Sequence, residues 1–256
     1  LTEEGGRYNK NRLAKPVENQ GVWLAEKILE TRGIVVKFDW GYFWETLPYV
    51  ASKLNVTLTL TIISAVFSLL IGLIFALVTY YKVKGLTQIL SVWTSFVRGT
   101  PAATQMFFFY YGLAKISSLI LNMEPVVAVA VVMSLNMSAF VAESIRGALL
   151  SVDDGQREAA MSLGMTGFQM TVRIVIPQAI RVALPPLFND MINLFKMSSL
   201  AFLVGVRDVM GIAKIEGART FAFFECYACV MLIYWALTLI MSFFQKVLEK
   251  RCESIY

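Results

Sequence analysis

The sequence predicts an all-α, polytopic membrane protein with five transmembrane helices, and three observations carry that prediction. Of 256 residues, 57% are hydrophobic and only 16% charged, at a mean hydropathy of +0.63, whereas soluble domains carry about 25% charged residues. Five stretches approach the roughly 20 largely apolar residues that a spanning helix requires. The lysines and arginines beside those stretches are also unevenly shared between alternate connections, which sets orientation. A water-soluble domain and a disordered chain are both excluded, since neither tolerates so much apolar surface.

Taken in order, the leader 1–37 is polar, and residues 1–20 mix acids and bases without the apolar core of a secretory signal. Phe38, Trp40, Tyr42, Phe43 and Trp44 then form an aromatic segment within 38–53, of the kind that settles at headgroup level. An interfacial helix is expected over about 40–52. The first span, Leu54 to Tyr81, contains no charge; the second, Gly85 to Ala114, is interrupted only by Arg98. Pro125 to Ala142 is the third. A fourth lies within Ala179 to Val206 and carries Asp190 and Lys196, and Cys226 to Gln245 is the fifth. The spans and their connections make one transmembrane domain, 54–250, with a short tail at 251–256.

Lys82 and Lys84 follow the first span, Arg157, Arg173 and Arg181 follow the third, and Lys246, Lys250 and Arg251 follow the fifth. These basic connections share one side if the chain is N-out and C-in, the arrangement the positive-inside rule favours. The formal charge of +5 therefore reports orientation, and no nucleic-acid partner is expected. With no histidine in the chain, Ser-His-Asp triads and histidine metal sites are excluded. Cys226-x-x-Cys229 lies in an apolar span with only Cys252 besides, too few ligands for zinc. No catalytic residue, resident metal or cofactor is expected.

The connection after the third span, about 151–178, is richer than a loop. Asp153 and Asp154 are placed to favour the N-terminal dipole of a short helix beginning at Glu158-Ala159-Ala160. Gly164 is placed to end it, Thr166-x-x-Gln169 reads as a capping box opening a second helix, and Pro177 is expected to break the pattern before the fourth span. The spacing Glu158-Ala159-Ala160, Gly164, then Ile174-x-Ile176-Pro177 resembles the EAA signature of ABC-importer permeases. Arg98-Gly99-Thr100-Pro101 with Gln105, Ala142-Glu143 with Arg146-Gly147-Ala148, Ser151-Val152, Gly155-Gln156, and Lys196 with Ser199-Leu200 are similar to the polar-amino-acid branch of that family. Lys196-Met197-Ser198-Ser199-Leu200 departs from the branch's Lys-Asp-Thr-Ser-Leu by losing the acid.

The resemblance, running from about residue 40 to 250, implies a MetI-like permease fold in a bacterial cell membrane. It implies a transport subunit rather than an enzyme, with ATP and Mg held by a separate cytoplasmic ABC ATPase dimer. In agreement, no G-x-x-x-x-G-K-[ST] occurs in the chain. A second permease subunit, identical or not, and an extracytoplasmic amino-acid-binding protein complete the implied set of partners, all around the lipid bilayer. Gly155, Gln156, Glu158, Ala159, Ala160, Leu163 and Gly164 would form the element that docks the ATPase. The run from Ser199 to Gly211 is similar to permeases of the cystine-importing branch, so the expected substrate is a polar L-amino acid, cystine or a related sulfur amino acid first. A cationic amino acid, which Asp190 would equally suit, and a different small polar solute are the alternatives.

Ionisable groups at membrane depth are costly and point to function. Asn189, Asn193 and Lys196 fall on one helical face at i, i+4 and i+7, with Asp190 flanking, and Pro185 and Pro186 are expected to free carbonyls beside them. Asp190 and Lys196 offer an acceptor for an ammonium and a donor for a carboxylate; pairing with neighbouring helices is the alternative. Arg98 reads as a gate or a lipid anchor, Glu143 and Arg146 as a local ion pair, and Gln105 with Asn136 as pathway lining or as helix–helix hydrogen bonding. An ion-coupled secondary transporter is the rival reading of the same charges, although such folds show paired repeats.

Overall fold

The computed structural model describes residues 38–253, all helices and connections; the leader 1–37 and residues 254–256 lie outside the described residues. The aromatic segment forms helix α1, Trp40–Ala51. Asp39 caps it, its carboxylate accepting from the Tyr42 N–H at 3.0 Å. Phe43 and Val50 are buried, while Trp40, Trp44 and Tyr49 remain on the outside.

Helix α2, Leu54–Tyr80, matches the first expected span. The second does not form as one helix. It is divided into α3, Leu86–Gly99, and α4, Ala102–Phe107, the latter continuing through a π turn at Phe108–Gly112 and a 3-10 turn at Leu113–Lys115. Pro101 is responsible: it lacks an N–H and forces its predecessor out of the helical region, so Thr100 sits extended at φ −119°, ψ 145°. The short α5, Ser118–Leu121, leads to α6, Pro125–Leu150. That helix runs two turns beyond the expected third span and carries Glu143 and Arg146 within it.

The connecting loop forms α7, Asp154–Ser162, and α8, Gly167–Met170. Contrary to expectation, Pro177 does not interrupt the helical path into the fourth span. A π turn at Thr171–Val175 runs directly into α9, Ile176–Met197, and a 3-10 turn, Ser198–Val204. The widened turn has the Ile176 N–H reaching the Thr171 carbonyl. Pro177 thereby falls in the first turn of α9, where the missing donor costs least. Helix α10, Val209–Thr220, and α11, Phe223–Glu253, complete the chain.

Among the described residues, four continuous helical segments are long and apolar enough to cross a membrane: 54–80, 125–150, 167–204 and 223–251. The broken second stretch accounts for the difference from five; α3 alone, with 14 residues, reaches about 21 Å.

Helices α2 and α6 pack along their whole length. The face of α2 turned to α6 is small, with Thr57, Thr61, Ser64, Ser68, Gly72 and Ala76 all buried, as close approach in a membrane demands. At Gly72 the fit is tightest: a Cβ there would lie 2.5 Å from Val141 Cγ1 and 3.0 Å from the Ser138 carbonyl. Leu60, Val129, Met133, Val141 and Leu194 join these helices to α9 in one core.

A second core holds α1 against α10 and α11 through Phe43, Val50, Ile212, Cys226 and Cys229. The Tyr42 hydroxyl donates to Glu216 at 2.8 Å and Arg219 pairs with the same carboxylate. Burial works against ionised Glu216, but the hydrogen bonds from Arg219 and Tyr42 outweigh it and hold the carboxyl below its ordinary range. Asp208 caps α10, accepting from the Gly211 N–H at 2.8 Å. It is fully buried, and among the described residues its second oxygen has no partner. Burial pushes its carboxyl up to about 6.

This packing has two measurable consequences. Gly72→Ala should destabilise the purified protein by about 1–3 kcal/mol through overpacking, seen as a lower midpoint of thermal unfolding. Gly147→Ala on α6, where a Cβ meets nothing within 4 Å, should not; equal effects would refute the close-approach account. For Asp208, the folded state binds its proton more tightly than the unfolded chain, whose value is near 3.8. The resulting stabilisation is complete below pH 3.8 and is lost as pH rises through 6, on the order of 2–3 kcal/mol. Asp208→Asn keeps the cap and removes the titration. Thermal midpoints from pH 4 to 7.5 should therefore fall more steeply in the parent than in the variant, and parallel profiles would disprove it.

Candidate functional site

Two groups of residues stand out, one at membrane depth and one in the connecting loop. At membrane depth, α9 runs unbroken through Pro185 and Pro186. Their missing N–H groups leave the Arg181 and Val182 carbonyls without the usual helical donors. Asn189, Asn193 and Lys196 all lie exposed on one face of α9 together with Pro186, as their spacing predicts. No acid lies within ion-pairing range of Lys196 among the described residues.

Asp190 turns away from that row toward α6 and accepts a hydrogen bond from the Ser144 hydroxyl at 2.7 Å. One residue before Ser144, Glu143 holds Arg146 at 2.7 Å and is approached by Arg98 from the end of α3 at 3.9 Å. The Arg98 guanidinium also lies over the Phe140 ring, 5.6 Å from its centre. Three helices thus bring two cations and two carboxylates together, with Arg98, Glu143 and Arg146 each partly open to solvent. Sequence reasoning reads Arg98 as a gate or lipid anchor and Glu143 as part of a local pair; it misses that α3 delivers one to the other, and it misses Ser144 entirely. The spacing of Glu143 and Arg146 signals only their mutual contact.

Gln105 takes a structural part. Its amide nitrogen donates to the Val97 carbonyl at 2.9 Å and to the Thr100 hydroxyl at 2.8 Å. Its oxygen accepts from the Asn136 amide at 2.9 Å. One side chain therefore satisfies carbonyls orphaned by the Pro101 break and ties α4 to α6.

In the loop, α7 begins a turn earlier than expected, at Asp154, so that Glu158-Ala159-Ala160 lies in its middle. Asp153 caps it through the Gly155 N–H at 2.7 Å, and a Cβ on Gly155 would sit 2.7 Å from the same oxygen; that glycine makes room for the cap. Gly164 ends the helix at φ +77°. The Gly164 N–H reaches the Met161 carbonyl at 2.9 Å and the Met165 N–H the Ala160 carbonyl at 3.1 Å, the paired bonds of a Schellman turn. The Thr166–Gln169 capping box forms as expected.

Ala160 is buried, whereas Glu158 and Ala159 face outward. Beside them Met161, Leu163 and Phe168 are exposed, Leu163 at 83% and Phe168 at 78%. Gln156 reaches back from α7 to accept a hydrogen bond from Gln178 of α9 at 2.7 Å. The loop is a capped, rigid pair of helices that offers an apolar ridge. No group of histidine, cysteine, aspartate or glutamate suited to a metal occurs among the described residues.

Residues 68–254 match the family described as "Binding-protein-dependent transport system inner membrane component". The chain belongs to this family. It is accordingly a transport component embedded in the membrane, of MetI-like fold.

Curated relatives align over nearly their whole length. A probable amino-acid ABC transporter permease protein, PatM of Vibrio harveyi, is 38% identical over 86% of this chain and 98% of its own. A probable amino-acid permease protein, YxeN of Bacillus subtilis, is 39% identical over 85% and 97%. The L-cystine transport system permease protein TcyL of Bacillus subtilis is 35% identical over 84% and 92%.

Among solved structures, an amino acid ABC transporter crystallised with histidines superposes with a TM-score of 0.78 at 33% identity, covering 84% of this chain and all of that one. The MetNI methionine transporter shares the fold, with a TM-score of 0.68 at 19% identity over 79% and 95% of the two chains.

If Gln105 is structural, Gln105→Leu should lower thermal stability by about 1–3 kcal/mol, because buried polar partners at Asn136, Val97 and Thr100 lose their bonds. Gln105→Glu keeps the acceptor for Asn136 and should cost differently. A Leu variant of unchanged stability would return Gln105 to the candidate ligands.

Proposed function

We propose that this subunit is the permease of an ATP-driven importer for a polar L-amino acid, cystine being the first candidate. The observation that carries the proposal is an exposed Asn189–Asn193–Lys196 row on α9 beside a charged cluster in which Asp190 of the same helix meets α6, where Glu143 is approached by Arg98 of α3. Polar and charged side chains facing hydrocarbon are strongly disfavoured, so the row belongs against a second permease subunit or a watery route between two such subunits. The broken α3–α4 segment supplies the fifth crossing, N-out and C-in.

A zwitterion needs acceptors for its ammonium and donors for its carboxylate. Glu143 and Asp190 are suited to the first; Arg98 and Lys196 to the second, with Asn189 and Asn193 able to serve either. The curated relatives named for amino-acid transport support this class, L-cystine among them.

Energy enters through the loop. The exposed ridge of Met161, Leu163 and Phe168 beside Glu158 and Ala159 is the surface that docks a cytoplasmic ABC ATPase, which holds ATP and Mg. An extracytoplasmic binding protein delivers the amino acid from the opposite side. Closure of the ATPase dimer displaces α7, and the helices it is bonded to rock about the charged cluster. The assembly sits in a bacterial cell membrane.

The test is reconstitution of the chain with its ATPase and binding protein in proteoliposomes, with hydrolysis and uptake measured across an amino-acid panel that includes cystine, arginine and glutamine. Stimulation by one class is expected. Glu143→Gln and Asp190→Asn should each raise the concentration needed for half-maximal uptake about tenfold, the scale of one lost charge-assisted hydrogen bond. An assembled, active complex indifferent to every amino acid would overturn the substrate class. Unchanged uptake in both variants would remove the cluster from the route.

A further inference from the structure

The terminal carbonyls of helix α6 are satisfied partly by its own C-cap residue, Ser151, and partly from the next helix. The Gly147 carbonyl accepts from the Ser151 N–H at 3.0 Å and the Ala148 carbonyl from the Ser151 hydroxyl at 2.8 Å. The Leu149 carbonyl is reached by Arg157 of α7, whose guanidinium donates to it at 2.7 Å. The next helix therefore completes the C-terminal cap of α6, with a positive charge at the negative end of its dipole. The same guanidinium pairs with Asp154 one turn back on α7 and lies 6.0 Å from the centre of the Tyr80 ring, at the end of α2. Although Arg157 sits in a loop on the surface, its side chain is only 17% exposed.

We propose that Arg157 is the positioning residue that transmits movement of α7 to α6, by clamping the docking helix to the last turn of the helix that carries Glu143 and Ser144. The inference rests on the reading of the loop as the ATPase-docking element and deepens it. Arginine is the residue suited to this work, because its planar fork serves Asp154 and the Leu149 carbonyl at once; a lysine ammonium reaches such a pair less well. The parallel tie from Gln156 to Gln178 joins α7 to α9, the helix of Asp190. Displacing α7 therefore acts on both helices whose side chains meet in the Ser144–Asp190 bond. Of the two ties the arginine is the stronger, being charge-assisted and largely shielded from water, and it is the one that grips α6.

The measurement is the number of amino-acid molecules imported per ATP hydrolysed, taken on purified complexes of the whole subunit with its ATPase and binding protein. The substrate is the amino acid identified by the uptake panel. Arg157→Ala should reduce that ratio about tenfold, the scale of one lost charge-assisted hydrogen bond, while the ATPase still co-purifies in parental amount. Arg157→Lys should fall between the two. A purely stabilising role would lower the yield of complex and leave the ratio alone, since the ratio counts only assembled molecules. If Arg157→Ala cannot be recovered, the lysine variant decides by itself.

An unchanged ratio overturns the inference, as does loss of ATPase in step with loss of coupling, which would make Arg157 part of the docking surface only. Failure of the parent chain to retain an ATPase at all would instead defeat the docking reading on which the inference rests.

Discussion

The constraint on which this structure depends is that a backbone amide surrounded by hydrocarbon must find its partner within the protein. Continuous helices meet it by themselves, and α2, α6 and α11 are continuous. Three departures from continuity are accompanied by a compensating side chain or turn. At Pro101 the Gln105 amide takes up carbonyls left by α3. At Pro177 a π turn moves the proline into a first turn. At the end of α6, Ser151 and Arg157 cover three successive carbonyls. Departures that are repaired so specifically are places where the chain needs to change direction without losing rigidity.

Packing then decides what these helices bring together. Lipid offers no hydrophobic penalty to separating two apolar helices, so association depends on close fit and internal hydrogen bonds. The small face of α2 lets α6 approach until Gly72 lies against Val141, and α9 closes on the same core through Leu194. This fixes the height and rotation of α6, and with them the places of Glu143 and Ser144. Arg98 reaches Glu143 from the last turn of α3.

Coupling in such a molecule is a question of stiffness. Helix α7 is short, and a helix of nine residues has little stability of its own. Caps at both ends, the buried Ala160 and two side-chain ties make it a firm projection rather than a mobile loop. The exposed Leu163 and Phe168 therefore belong to a surface that is held in place from behind, with its ties leading to α6 and α9 and so toward the charges at membrane depth.

Much of this was legible in the chain itself. Apolar run length located α2, α6, the α9 region and α11, because spanning a bilayer needs a minimum number of apolar residues whatever the packing. Local chemistry foretold the Gly164 stop and the Thr166–Gln169 box, since caps are made by residues close in sequence. The Asn189–Asn193–Lys196 row followed from helical periodicity alone. Tertiary structure decided the rest. Glu143 seemed a local partner of Arg146 until α3 placed Arg98 beside it, and Gln105 was open between lining and bonding until Asn136 faced it. Asp190, flanking the exposed row, turned out to face Ser144 of α6, and Arg157 became part of the cap of a helix other than its own. Contacts within a turn or two are set by spacing; contacts across helices depend on rotation and depth, which no single segment carries.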